Sequence, residues 1–132
     1  LYPDHSFVGK TVSDNNTASV IIKFTDGEID FMLTGDAYQA EEDALVARYG
    51  DYLDAEVLKA GHHGSDTSSS DLFLDTVTPE IAVIQVGADN PYGHPNFRVL
   101  KRLGVRSIPV LRNDELGDIR LVSDGEYVEW SR

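Results

Sequence analysis

The sequence contains no cysteine among its 132 residues. Disulfide bonds and thiolate metal ligands are therefore excluded, so any metal would have to bind His, Asp, Glu or Asn. No apolar run approaches the roughly 18 residues that span a bilayer, and residues 1–5 show no basic start followed by an apolar stretch. We therefore expect a soluble segment without a signal peptide. The lack of cysteine does not determine the compartment.

Basic residues are also scarce, with 11 Lys and Arg against 23 Asp and Glu, which gives a net charge of −12. This balance opposes nonspecific nucleic-acid binding, because such binding relies on Lys and Arg to neutralise phosphates. It favours a solvated acidic surface. One basic cluster could receive a phosphate, although a solvated helix face is the favoured interpretation; its members are Arg98, Lys101, Arg102 and Arg106.

Apolar residues make up 41% of the chain, as in globular proteins, so residues 1–132 are expected to form one folded unit. The pattern predicts strands at 19–24, 29–34, 56–60, 81–86, 108–111, 118–122 and 126–130. It predicts helices at about 40–49, from the Ser68–Ser70 region to Val77, and from Asn96 to a stop at Gly104.

This order predicts an α/β fold, with one mixed sheet and helices on one face. Asp26-Gly27 predicts a hairpin turn between the first two strands. The strands at 20–24 and 81–86 are rich in apolar residues, so we expect both to be covered on both faces. Three helices are too few to cover both faces of the sheet, which indicates that something else covers the face without helices.

Two segments that follow predicted strands carry residues suited to chemistry. Asp36, after the second strand, has a carboxylate that could bridge two divalent cations, although an Asp at a strand–helix junction often caps the helix instead. The segment Gly61-His62-His63-Gly64-Ser65 has imidazoles flanked by flexible glycines, which suits metal binding, catalysis or a hydrogen-bonding turn. Adjacent histidines point in different directions, so at most one would normally bind a given metal.

A third segment, the loop 90–95, contains His94 between prolines and a glycine. This setting suits the presentation of one imidazole, and the alternative is a turn in which His94 caps the next helix. Asn16, before the first strand, would pass as part of an ordinary turn.

Together these segments resemble the metallo-β-lactamase-like domain of ComEC-type competence proteins. The resemblance covers nearly the whole chain and rests on four motifs in order. They are Asn16-x-x-Ser19, Thr34-Gly35-Asp36, Leu58-Lys59-x-Gly61-His62-His63-Gly64-Ser65 and Asn90-x-Tyr92-Gly93-His94-Pro95. It implies half of an αββα sandwich. The His-x-His-x-Asp-His motif of the first half is absent, so the chain corresponds to the carboxy-terminal half.

The resemblance also implies roles for single residues. Asp36 matches the bridging carboxylate, and His62 or His63 the last imidazole ligand, with His63 favoured. Asp36, His63 and His94 are the implied catalytic residues. The implied substrate-binding residues are Asn16, Ser65, Asn90 and His94, and many relatives have a further His ligand where Asn16 stands. The implied cofactors are two divalent ions, zinc or manganese, with the remaining ligands supplied by the missing amino-terminal half.

The implied reaction is metal-assisted hydrolysis of DNA during its uptake. The expected partners are the amino-terminal half or a second chain, with DNA as substrate. A membrane would be involved only through other parts of the parent protein, and a ComEC-type parent would place this segment on the extracytoplasmic face. A catalytically silent binding module and a small-ester or lactone hydrolase are the alternatives.

Three structural expectations follow from this assignment. Asp36 should lie within about 5 Å of His62 or His63 at one end of the sheet, close enough to share a metal. The second face of the sheet should be apolar and unprotected. The chain alone should show negligible phosphodiesterase activity, because two or three ligands hold a two-metal centre weakly.

Overall fold

A computed structural model describes residues 1–132. Seven strands are present: β1 Ile22–Asp26, β2 Ile29–Leu33, β3 Val57–Lys59, β4 Ile81–Ile84, β5 Val110–Arg112, β6 Arg120–Ser123 and β7 Val128–Ser131. The α-helices are α1 Gln39–Tyr49, α2 Asp71–Val77, α3 Phe97–Val105 and α4 Asn113–Leu116. Short 3-10 turns occupy Asn15–Ala18, Gly50–Leu53 and Gly61–Gly64. No helix is both long and apolar enough to cross a membrane.

The main sheet has five strands in the order β1-β2-β3-β4-β5. β1 and β2 pair antiparallel, and the other neighbours pair parallel. The predicted hairpin is confirmed, because Asp26 pairs with Ile29 across a two-residue turn that begins with Gly27 at a φ of 63°. Only a glycine adopts this left-handed conformation without strain.

Helices α1, α2 and α3 connect successive parallel strands, and right-handed crossovers of this kind place them on one face of the sheet. Alternate strand residues point to that face and join the buried core. The main contributors are Met32, Leu58, Ala82 and Ile84 from the sheet and Leu45, Phe73, Leu74, Val99 and Leu103 from the helices. The predicted α/β fold with a mixed sheet is confirmed.

Three expectations about the sheet are wrong. Its second face is not unprotected throughout, because Val57, Val83 and Leu111 lie on that face and are only 3%, 8% and 6% exposed. β6 and β7 form a separate two-stranded sheet instead of extending the main one. The segment 20–24 is not covered on both faces, since Val20, Ile22 and Phe24 are 60%, 47% and 56% exposed. β1 is an edge strand, so only its β2 side and its helix-facing side chains are protected.

The predicted helix ends are also instructive. Ser70 and Asn96 cap α2 and α3 through their side-chain oxygens, as predicted. However, α3 does not stop at Gly104 but continues to Val105. The residue that leaves the helix in the left-handed conformation is Ser107, with a φ of 57°, so the glycine is not needed for the termination.

Candidate functional site

The predicted functional residues gather at one edge of the main sheet. Asp36 follows β2, His62 and His63 follow β3, and the loop containing His94 follows β4. These strands run parallel, so their carboxyl ends meet at the same edge, where ligands of open α/β sheets usually bind.

The closest approach is between Asp36 and His63. The Asp36 Oδ1 lies 3.4 Å from His63 Nε2, so the prediction that the two lie close together is confirmed. The backbone N–H of Asp36 donates to Ser19 Oγ at 3.1 Å, which fixes the start of the loop. The alternative role as a helix cap is wrong, because α1 begins after Tyr38.

The hydrogen bonds of His63 orient its ring. Its Nδ1 lies 2.7 Å from the carbonyl oxygen of Gln85, which can only accept, so Nδ1 carries a proton. In the neutral ring, Nε2 then presents a lone pair toward the Asp36 carboxylate. A metal ion could lie between these two acceptor atoms, since carboxylate oxygen and imidazole nitrogen are both suitable donors. Metal-binding histidines commonly bond a backbone carbonyl through their other nitrogen in this way.

His62 is held differently, by an uncharged side chain at each ring nitrogen. Its Nε2 lies 3.4 Å from the Nδ2 amide of Asn16, and its Nδ1 lies 3.2 Å from Thr67 Oγ1. The ring also packs edge-on against Tyr38, with 5.3 Å between centroids. These contacts leave His63 as the freer imidazole, which agrees with the preference for His63 as the ligand.

Both histidines have left-handed backbone conformations, with φ of 46° for His62 and 54° for His63. Such conformations cost about 1–2 kcal/mol each in a non-glycine residue, and they are often retained at functional sites. Gly64 follows with a φ of 79°, and a Cβ there would lie 2.8 Å from the Cβ of Pro95. This glycine is therefore required by the close packing of the chain against Pro95.

Ser65 and Asn90 support the loops of the site. Ser65 is buried, and its hydroxyl lies 2.9 Å from that of Thr67. The Asn90 amide donates to the carbonyls of Gly87 and His94 and accepts from the His94 N–H at 3.0 Å. Their contact with a substrate stays a prediction.

The His94 ring lies 5.9 Å from the His62 ring, between centroids. Burial lowers the pKa of His94, and the nearby charges of His62 and His63 lower it further. The Nδ1 of His94 is buried and has no hydrogen-bond partner. The alternative role as a helix cap is wrong, because Asn96 caps α3.

Three further residues at the site carried no clear signal in the sequence. The Tyr38 hydroxyl donates to Asp14 Oδ2 at 2.7 Å, and this bond raises the pKa of Tyr38 and lowers that of Asp14. Lys59 donates to the carbonyl of Gly35 at 2.8 Å and lies 3.9 Å from Asp36. Burial lowers the pKa of Lys59. Tyr38 and Asp14 are 24 positions apart, so only the fold brings them together.

The basic cluster on α3 is largely paired within the chain. Arg98 lies 3.1 Å from Asp66, and Arg106 contacts Asp71 and Asp75 at 2.9 and 2.7 Å. Arg102 lies 4.0 Å from Asp71. These pairs favour the interpretation as a helix face over a phosphate site.

No group of three or more His, Asp or Glu side chains converges closely enough to hold a metal ion. The site is thus an α/β sheet edge with one close carboxylate–imidazole pair, flanked by His62, Asn16 and His94.

Comparison with known proteins finds relatives among competence proteins. The chain is 40% identical over 107 residues to competence protein ComA of Neisseria gonorrhoeae, a match that covers 81% of this chain and 16% of the relative. It is 35% identical over 108 residues to ComE operon protein 3 of Bacillus subtilis, covering 82% of this chain and 14% of the relative. It is 40% identical over 89 residues to recombination protein 2 of Haemophilus influenzae, a match that covers 67% of this chain and 11% of the relative. No family model matches.

These matches show that the chain is homologous to a segment of competence proteins. It spans less than a fifth of the length of the curated relatives that it matches.

Proposed function

We propose that this chain forms part of a metal-dependent phosphodiesterase that degrades DNA during DNA uptake. The competence relatives support the biological setting. The observation that carries the chemistry is the pairing of Asp36 with His63, whose Nδ1 is committed to the carbonyl of Gln85.

The residues of this chain fit part of the ligand set of a divalent metal ion, zinc or manganese. Asp36 and His63 would hold the metal, since carboxylate oxygen and neutral imidazole nitrogen are suitable donors for both. Two ligands are too few for a stable centre, so the remaining donors would come from another part of the parent protein. Bound there, the metal ions would polarise the phosphoryl group and supply the nucleophile at neutral pH.

Other residues would support the site around this pair. Lys59 holds the Gly35 carbonyl beside Asp36, and Asn16 and Thr67 fix the ring of His62. The lowered pKa of His94 favours its neutral form near pH 7, so it could hydrogen-bond a phosphoryl oxygen without adding charge. The chain therefore contributes a preorganised edge to a site that it does not complete.

The missing ligands imply a partner, and the sheet offers a surface for it. Val20, Ile22, Phe24 and Leu33 are exposed and occupy alternate positions on the face away from the core helices. We call this set the apolar strip. Leu33 is three residues before Asp36, so a partner on the strip would lie beside the site. We propose the amino-terminal half of a metallo-β-lactamase-type αββα sandwich as that partner, packed sheet to sheet.

The test measures metal-dependent hydrolysis of DNA and of bis(p-nitrophenyl) phosphate by the full-length protein that carries this chain, with added manganese or zinc. Asp36→Asn should lower kcat/KM by about two orders of magnitude, the size of effect seen when one preorganised electrostatic contact is lost. Asp43→Asn, an exposed carboxylate on α1, is the matched control and should behave as wild type.

Hydrolysis that survives Asp36→Asn would place the catalytic site elsewhere. A protein that binds DNA but cleaves neither substrate would instead be a silent binding module. Cleavage of carboxylic esters or lactones without cleavage of phosphodiesters would support the alternative function as a small-ester or lactone hydrolase.

A further inference from the structure

A cavity of about 560 Å³ opens beside the candidate site. His63 lines this cavity and also contacts Asp36 of the site. Its other walls come from the loop after β4, including Gln85, Tyr92 and His94, and from the segment between β5 and β6, including Asp118. His63 thus contacts Asp36 through one ring nitrogen while its ring lines the cavity. A substrate whose reacting group lies at Asp36 would extend naturally into this space.

The lining of the cavity disfavours a second phosphate. No Lys or Arg lines it, and the Asp118 carboxylate would repel a phosphate. Neither the Gln85 side-chain amide nor the Asp118 carboxylate takes part in a hydrogen bond within the chain. They remain available to the amino and ring N–H groups that nucleobases present.

One wall is an aromatic platform. The Tyr92 ring is stacked on the His94 ring, with 6.0 Å between centroids and an interplanar angle of 19°. Tyr92 is 79% exposed, so its ring is accessible to a base from solvent. Asn90 bonds both the N–H and the carbonyl of His94, which holds the platform in place relative to the site.

We propose that this cavity binds the base of a nucleotide next to the scissile phosphate, stacked on Tyr92. The proposal rests on the proposed function for the location of the phosphate. A base enters such a cavity only when it is out of the double helix, and stacking on aromatic side chains is the usual sequence-tolerant way to bind single strands. The substrate class is therefore single-stranded DNA.

The test compares two fluorescein-labelled single-stranded 12-mers, one with normal bases and one built entirely from abasic residues. Binding to the full-length protein is measured by anisotropy in EDTA, so that cleavage does not interfere. The wild-type protein should prefer the base-bearing strand about tenfold, as expected for one stacked base. Tyr92→Ala should remove this preference, and Tyr92→Phe should keep it.

Tyr127→Ala is the matched control, since Tyr127 is similarly exposed but lies on the β6–β7 hairpin and does not line the cavity. It should leave the preference unchanged. A preference that is absent in the wild type, or that survives Tyr92→Ala, overturns the base site.

Cleavage is followed separately on the same preparations with added metal. Cleavage without a base preference would overturn the base site and leave the proposed function standing. A base preference that depends on Tyr92, without any metal-dependent cleavage, would support the base site and contradict the nuclease.

Discussion

His62 and His63 are neighbours in sequence, but their hydrogen bonds give them different roles. The His62 ring contacts Asn16 and Thr67, whereas the His63 ring bonds one backbone carbonyl and directs its other nitrogen to Asp36. Consecutive left-handed residues produce this divergence, because each rotates its side chain away from the path of the strand. The strained backbone conformations of His62 and His63 thus occur where the two imidazoles contact different groups.

Away from the site, the Glu42 side chain links α1 to the start of α2. It is fully buried on α1, and its carboxylate accepts the N–H groups of Ser69 and Ser70 at 2.6 and 2.9 Å. Burial nevertheless raises its pKa above the ordinary 4.5. Between the unfolded pKa and the raised folded pKa, the folded chain binds more protons than the unfolded chain. The contribution of Glu42 to stability therefore falls as the pH rises through that window.

Replacement of Glu42 by Gln should remove this pH dependence. The free energy of unfolding of the wild type, relative to that of Glu42→Gln, should fall as the pH is raised from about 4.5. Urea denaturation at a series of pH values measures both. Parallel stability profiles would mean that Glu42 has the same pKa in the folded and unfolded chain.

At the scale of elements, the loop after β3 and the helix α3 use glycine in opposite ways. Gly64 has a φ of 79° and lies against Pro95, whereas Gly104 lies inside α3 with open space around it. Only Gly64 needs to be a glycine, for both its conformation and its packing.

Gly64→Ala should destabilise the fold by about 1–2 kcal/mol from the left-handed backbone, with an added cost from the contact with Pro95. Gly104→Ala, the matched control, should stabilise it by about 0.5–1 kcal/mol, because alanine is the better helix former. Thermal melting of the two variants checks the signs. A Gly64→Ala protein as stable as wild type would show that the loop after β3 is free to relax.

The whole molecule combines an acidic surface with an exposed apolar strip along one edge of the main sheet. A net charge of −12 disfavours binding of DNA by general attraction, so specific contacts and bound cations would have to supply the affinity. The apolar strip, in contrast, favours association with another protein surface, because exposed apolar patches are costly in water.

The 132-residue chain alone should therefore self-associate at micromolar concentration. Replacement of Ile22 and Phe24 by threonine should shift it toward the monomer, since threonine keeps the strand propensity and removes apolar area. Val8→Thr, an exposed position outside the strip, is the control. Sedimentation velocity distinguishes the states. A wild-type chain that is monomeric throughout would show that the strip is no interface.

Local signals in the sequence were sufficient for most of the fold. The Asp26-Gly27 turn, the caps Ser70 and Asn96 and the apolar strand at 81–86 act through neighbouring residues, so their patterns are readable without the tertiary structure. The order of strands and helices then implies parallel strands and a common edge for Asp36, His62 and His63.

The tertiary structure alone decided what each group at that edge contacts. The orientation of His63 depends on Gln85, 22 residues away, and the link from His62 through Asn16 to Tyr38 and Asp14 joins three separate segments. Exposure of β1 also depended on its place at the edge of the sheet, which an apolar pattern does not reveal. Periodicity reports which residues share a face, whereas hydrogen-bond partners and coverage depend on contacts between segments distant in sequence.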